Sequence, residues 1–134
     1  MTIYSISYKN KDYSLSVNQR MFQYQRLKRY LESLCIVNGS SLKGGIESYR
    51  RITGYKNKPC IYIDEGLMLM PDSSLNADIV NLINYFQIDQ IRPVDEFKTR
   101  IIYKNGSEQV FDNNHRIYKK QQLRCREYLK KILK

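Results

Sequence analysis

The chain has 134 residues, with 23 Lys and Arg against 13 Asp and Glu, a formal charge of +10. That length suits one compact domain, which buries roughly two-thirds of its unfolded surface and needs neither disulfides nor a structural metal. A hydrophobic fraction of 42% with 27% charged residues is that of a folded globular protein rather than a disordered chain.

No stretch approaches the ~20 apolar residues of a membrane span, and the opening Met1–Tyr8 segment lacks the cationic and apolar regions of a secretory signal. A cytoplasmic protein without membrane contact is expected. Cys35, Cys60 and Cys125 are an odd number at spacings that suit neither a disulfide framework nor a zinc set. They are expected to be reduced, mostly buried thiols, and no metal or cofactor is implied.

Taken in chain order, Tyr4, Ile6 and Tyr8, then Tyr13, Leu15 and Val17, alternate around residues 9–12 and predict a β-hairpin. Met21, Tyr24, Leu27, Leu31 and Leu34 then recur at helical spacing, which predicts a helix over 21–34 ending near Gly39. A polar, glycine-rich link over 39–45 feeds a short helix over 45–53, which Gly54 ends. The runs 60–63 and 67–70 flank Asp64-Glu65-Gly66 as a hairpin expected in the core, closed by Pro71. Ser73 or Ser74 could cap a helix reaching Phe86, but the same residues also read as strand. Residues 101–103 and 109–111 flank Asn105-Gly106, a strong hairpin turn. A last helix over 116–132 puts Tyr118, Gln121, Cys125, Tyr128, Leu129 and Ile132 on one face. The expected fold is therefore α+β, a mainly antiparallel sheet built from hairpins with three or four helices, in one domain over residues 1–134.

The distribution of charge says more than its sum. Residues 20–58 carry nine basic against two acidic residues, 59–97 carry one against seven, and 116–134 carry eight against one. Two +7 blocks thus flank a −6 block, a pattern that suggests surfaces meeting a polyanion and one avoiding it. Glu127 is the lone acid of the last block, so pairing within the helix does not account for Arg116, Lys119, Lys120, Arg124, Arg126, Lys130 and Lys131. These are candidate phosphate contacts.

A second candidate is the link into the 45–53 helix, where Ser40, Ser41 and Lys43 are placed to clasp a phosphate at a helix start and Arg50 or Arg51 to enter a groove. The alternative there is a plain N-cap and turn. Lys56 and Lys58 extend the same basic block. No Gly-Lys-Ser/Thr ending marks a nucleotide-binding loop, and the Ser40-x-x-Lys43 spelling lacks the partner motifs of penicillin-recognising enzymes. His115 is the only histidine, so no catalytic triad or metal set assembles around it, and the chain is not expected to be an enzyme. Asp64/Glu65 and Asp95/Glu96 read as solvated loops. Of the twelve tyrosines, Tyr24, Tyr30, Tyr49, Tyr55 and Tyr118 lie in basic stretches where they could stack on unpaired bases, though apolar periodicity favours core positions.

Gly39-Ser40-Ser41, Gly44, Thr53, Lys58-Pro59 and Ile61, then Pro71-x-x-Ser74, Asn105-Gly106 and Gln121-x-x-Arg124, together resemble the competence transcription factor family, ComK. The similarity covers about residues 39–129 and adds Gln121 to the candidate set. It implies a bacterial, nucleoid-associated regulator that binds paired A/T-rich boxes in duplex DNA, largely through the minor groove and as an oligomer, to control DNA-uptake genes. Narrow, strongly negative A-tract minor grooves attract Arg and Lys, which this sequence has in excess. Departures are Gly45 where the family has Arg, Asp72 where it often has Thr, and no tryptophan after the Pro71-x-x-Ser74 segment. The chain also ends after the last helix, without the tail of longer members.

The reading is a non-enzymatic, A/T-preferring duplex-DNA-binding regulator, with the acidic segment 59–97 facing another protomer or a protein partner. Its rivals are a short family member acting as modulator or interaction module, and a single-strand-binding module using tyrosines.

Overall fold

The computed structural model describes residues 1–133. Nine strands form two antiparallel sheets. Six of them, β1 (Ser5–Lys9), β2 (Ser14–Val17), β3 (Arg20–Tyr24), β4 (Ile61–Asp64), β5 (Leu67–Pro71) and β6 (Ile79–Asn84), make a sheet in the order β3-β2-β1-β6-β5-β4. The others, β7 (Ile88–Pro93), β8 (Thr99–Tyr103) and β9 (Glu108–Phe111), form a three-stranded meander. Three α-helices complete the architecture: α1 (Leu27–Val37), α2 (Leu42–Thr53) and α3 (His115–Ile132). The expected α+β class and the three hairpins are found.

Alternation along the strands divides the core in two. Ile6, Tyr8, Leu15, Val17, Ile61, Leu69, Val80 and Leu82 meet Leu27, Leu31 and Cys35 of α1 on one face of the large sheet. Cys60, Met68, Met70 and Ile83 meet Tyr118, Cys125 and Tyr128 of α3, together with Ile101, Tyr103 and Phe111 of the meander, on the other. Strand β5 is buried at every position because both its faces are covered, which explains the unbroken Leu67-Met68-Leu69-Met70 run. Helix α2 contributes to both clusters, through Leu42 to the first and Tyr49 to the second. It lies along the β4 edge and protects it from pairing with another chain.

Two expectations are corrected and one open alternative is decided. The helix predicted over 21–34 is strand β3 followed by α1 over 27–37. Asn18 and Gln19 both adopt left-handed φ (53° and 66°), and Val17 pairs with Arg20 across them, so the chain folds back as a tight hairpin before any helix can start. The 73–91 stretch, open between helix and strand, is turns up to Asp78, strand β6, a single 3-10 turn over Tyr85–Gln87 and then the start of β7. Asn84, wholly buried, donates to the carbonyls of Ile3 and Gly66 and accepts from the amides of Met68 and Phe86, which fixes β6 between β1 and β5 and ends it there. Finally, Cys60 and Cys125 are joined in a disulfide rather than being free thiols. A separation of 65 residues says nothing about proximity once β4 and α3 share one core. Cys35 alone is free, in the other cluster, with burial raising its thiol pKa.

Helix ends follow their chemistry. The Ser41 hydroxyl accepts from the Gly44 amide, starting α2 at Leu42 rather than 45, and Gly54 (φ 80°) ends it in the left-handed conformation that glycine adopts without a side-chain clash. Asn114 caps α3 by accepting from the Arg116 amide.

Candidate nucleic-acid interface

The two +7 segments meet where α2 and the 54–60 connection lie against α3. Tyr128 Oη bonds Ser48 Oγ at 2.9 Å, Lys131 Nζ donates to the Ile52 carbonyl at 3.3 Å, and Gln121 Nε2 donates to the Lys58 carbonyl at 3.0 Å. The Cys60–Cys125 bridge crosses the same seam. Within α3, helical geometry sorts the basic residues. Lys120, Arg124 and Lys131, four and seven residues apart, share the flank turned to α2, whereas Arg116, Lys119, Arg126 and Lys130 lie on the outward side, opposite buried Gln121 and Cys125.

Arg124 is the best-fixed cation of that flank. Its guanidinium lies 4.2 Å from the centre of the Tyr55 ring, and Tyr55 Oη donates to Glu127 Oε2 at 2.9 Å. That hydrogen bond is the main reason the Tyr55 phenol is held above its ordinary pKa. On α2, Arg50 Nε donates to the Lys56 carbonyl at 3.0 Å, tying the helix to the connection that carries Lys56 and Lys58. Lys58 adopts φ 51°, a left-handed strain for a residue that is not glycine, immediately before Pro59 and Cys60.

A groove between α1 and α2 adjoins this seam. Lys28, Lys43, Arg50 and Arg51 line it over Leu42 and Ile46, and Glu32 and Glu47 also border it. Lys28 and Arg50 also line a second depression with Lys56 and Lys58. Arg50 thus borders both depressions, on the α1 side of α2 and beside the connection that carries Lys56 and Lys58. Among the described residues two ion pairs form, Arg51–Glu47 at 2.8 Å and the distant Arg100–Glu108. Among the described residues Arg50, Lys56, Lys58, Lys120, Arg124 and Lys131 face no carboxylate within pairing distance, so their charge is available to an external anion.

Several candidate residues have internal duties instead. Gln121 is 2% exposed and its amide nitrogen donates to the carbonyls of Lys58 and Pro71, so it ties the connection to α3 from within the core. Ser40 Oγ donates to the Cys35 carbonyl and Ser41 Oγ caps α2. The Leu42 amide is already bonded to Glu32 Oε2 at 3.0 Å. An internal carboxylate therefore occupies the helix start where a phosphate clasp was expected, for the same dipolar reason that would have drawn the phosphate. Lys43 stays exposed beside it.

Lys28 is a groove residue that the motifs do not mark, although the charge count over 20–58 contains its signal. Of the tyrosines weighed for base stacking, Tyr30, Tyr49 and Tyr118 are core residues and Tyr55 is covered by Arg124, which leaves Tyr24 exposed on β3. The acidic residues of 59–97 do not gather. Asp64 and Glu65 occupy the β4–β5 turn, Asp89, Asp95 and Glu96 belong to the meander, and Asp72 is buried. Asp72 accepts hydrogen bonds from the Asn81 amide and side chain, from Asn113 and from Tyr118 Oη, which moors the first turn of α3 to the sheet.

No helix among the described residues is long and apolar enough to cross a membrane. Comparison with curated proteins and with solved structures finds no match. The family model described as ComK protein matches residues 1–134, the whole chain, and so extends beyond the 39–129 span that carries the motif resemblance. The chain belongs to the ComK family, a family of transcription factors.

Proposed function

We propose that this protein binds duplex DNA, with a preference for A/T-rich sites, and regulates transcription of competence genes from the cytoplasm, on the nucleoid. The contact surface is the α2–α3 seam: Arg50, Arg51, Lys56, Lys58, Lys120, Arg124 and Lys131, with Lys28 and Lys43 extending it across the α1–α2 groove. One observation carries the reading. Two basic segments with 57 residues between them in sequence are packed side by side, and among the described residues most of their charges lack ionic partners.

Arginines fixed by an internal contact lose little freedom on binding and suit a narrow, electronegative minor groove. Arg50 and Arg124 meet that description, and we assign Arg50 or Arg51 to minor-groove insertion. Arg116, Lys119, Arg126 and Lys130 on the outward side of α3 supply longer-range attraction or contacts to DNA that curves around the helix. Ser40, Ser41 and Gln121 act from within, by shaping α2 and the 54–60 connection. The chain works as one domain and as a homo-oligomer on paired sites, and the turns of the acidic segment 59–97 are left for a second protomer or a protein partner.

Titration of labelled A/T-tract and G/C duplexes at several salt concentrations tests this directly. Tighter binding to the A/T duplex, weakening steeply with salt, is expected. Equal affinity for both duplexes refutes the groove preference, and a response flat in salt refutes the phosphate surface.

A further inference from the structure

We infer that Cys60 and Cys125 are a reversible thiol–disulfide site that regulates the cationic seam, an inference that rests on the DNA-binding reading. Both cysteines are fully buried, and the bond between them joins two segments separated by 65 residues. The segments are those that carry the candidate contacts. Cys60 follows Lys56, Lys58 and Pro59, and Cys125 lies between Arg124 and Arg126. The bridge is thus a covalent tie between the two halves of the proposed surface.

Other ties across the seam at this level are non-covalent: the Gln121 hydrogen bond to the Lys58 carbonyl and the Arg124–Tyr55 stack. Lys58, held in a left-handed conformation two residues before Cys60, gives the connection a reason to relax once the bond is cut. Two thiols must also stand farther apart than two bonded sulfurs, which pushes the connection and α3 away from each other. Cys35 lies in the core cluster on the opposite face of the large sheet, so it does not compete as a partner.

A regulator that acts on chromosomal DNA works among low-molecular-weight thiols, where disulfides are chiefly transient or redox-sensing. The exchange is balanced by a dithiol reductant. Its thiolate attacks one sulfur of the bridge and forms a mixed disulfide, and its second thiolate resolves that species. Two electrons and two protons pass to Cys60 and Cys125, and the reductant leaves as its own disulfide. The reverse reaction takes a low-molecular-weight disulfide as oxidant. Because neither sulfur is exposed, exchange requires the seam to open and is slow compared with that of a surface thiol. The stapled form holds the two cationic segments in one alignment and binds DNA more tightly, since less freedom is lost on association.

The test uses the full chain poised in glutathione buffers of graded ratio. Alkylation with mass spectrometry reads the state of Cys60 and Cys125, circular dichroism reads the fold, and fluorescence anisotropy reads affinity for an A/T-rich duplex. Reduction is expected to free these two thiols, keep the helical signal and weaken binding about tenfold. The Cys60→Ser/Cys125→Ser variant is expected to bind like the reduced protein and to ignore the buffer, and Cys35→Ser to respond like the natural chain. Equal affinity in both states overturns the switch and leaves the DNA-binding reading standing. Failure of the pair to oxidise anywhere in the glutathione range also overturns it. Binding that is lost together with the helical signal makes the bridge a structural staple and equally overturns the proposal. Absence of duplex binding in both states, with normal thiol titration, overturns the functional reading on which it rests.

Discussion

Replacing Asp72 with alanine tests how α3 is held in place. The carboxylate is 3% exposed and receives the Asn81 amide at 2.9 Å, Asn81 Nδ2 at 2.9 Å, Asn113 Nδ2 at 3.0 Å and Tyr118 Oη at 2.8 Å. Asp72→Ala strands four donors at once. A buried donor without a partner costs about 1–3 kcal/mol, and water entering the new cavity relieves some of these, which gives a loss of about 4 kcal/mol. Against a total stability of about 5–15 kcal/mol that is a large fraction. Asp72→Asn keeps the shape but turns one acceptor into a donor, and should cost about 2 kcal/mol; Tyr118→Phe removes one donor of four, and should cost about 1 kcal/mol. Urea unfolding followed by circular dichroism measures all three, and the Asp72/Tyr118 double-mutant cycle isolates their coupling. A loss below about 1 kcal/mol for Asp72→Ala, or a Tyr118→Phe loss equal to it, refutes the view that this carboxylate organises the junction.

Three further outcomes follow from other parts of the fold. Closing a 65-residue separation by a disulfide is worth about 4 kcal/mol in the chain-entropy account, so Cys60→Ser/Cys125→Ser should lower the urea midpoint by that equivalent while the chain stays folded. Ser41→Ala, which removes the cap on Gly44, should lose about 1 kcal/mol by the same assay. Burial pushes the phenols of Tyr49 and Tyr103 up to about 12 and raises that of Tyr118 further, from an ordinary value of 10.0. Their folded-state pKa lies above the unfolded one, so their contribution is complete below pH 10 and falls away as pH rises towards 12 and beyond. Spectrophotometric titration should show these three phenols ionising only as the protein unfolds.

Local chemistry made much of this fold legible in the sequence. Two-residue alternation fixed the hairpins, Asn105-Gly106 marked the turn between β8 and β9, and helical periodicity the buried Tyr118, Gln121, Cys125 and Tyr128. Failures came where long-range pairing outweighed local pattern. Met21 and Tyr24 fit a helical stripe, yet the left-handed Asn18–Gln19 turn returns the chain along β2. Residues 79–84 become strand because β1 and β5 each lack a neighbour there. The Cys60–Cys125 pair was invisible for the same reason, since only the packing of α3 over β4 and β5 makes the two cysteines neighbours.

At the candidate site, the charge blocks picked out two segments that pack together, but not which of their members face inward and which outward. Gln121 shares its spacing with the exposed lysines and arginines around it but points into the core. The Ser40–Lys43 link has the composition of an anion clasp, and nothing in its spelling shows that Glu32, ten residues before Leu42, already fills it.

The central claim is that DNA lies on the α2–α3 seam. The most direct measurement is the salt dependence of affinity for an A/T-rich duplex, compared between the natural chain, Lys120→Ala/Lys131→Ala on the seam and Lys9→Ala/Lys11→Ala at the β1–β2 turn. Each lost phosphate contact reduces the slope of log affinity against log salt by about 0.9, so the seam pair should lower it by nearly two and the turn pair should leave it unchanged. An unchanged slope for the seam pair, or the same loss for both pairs, would contradict the account.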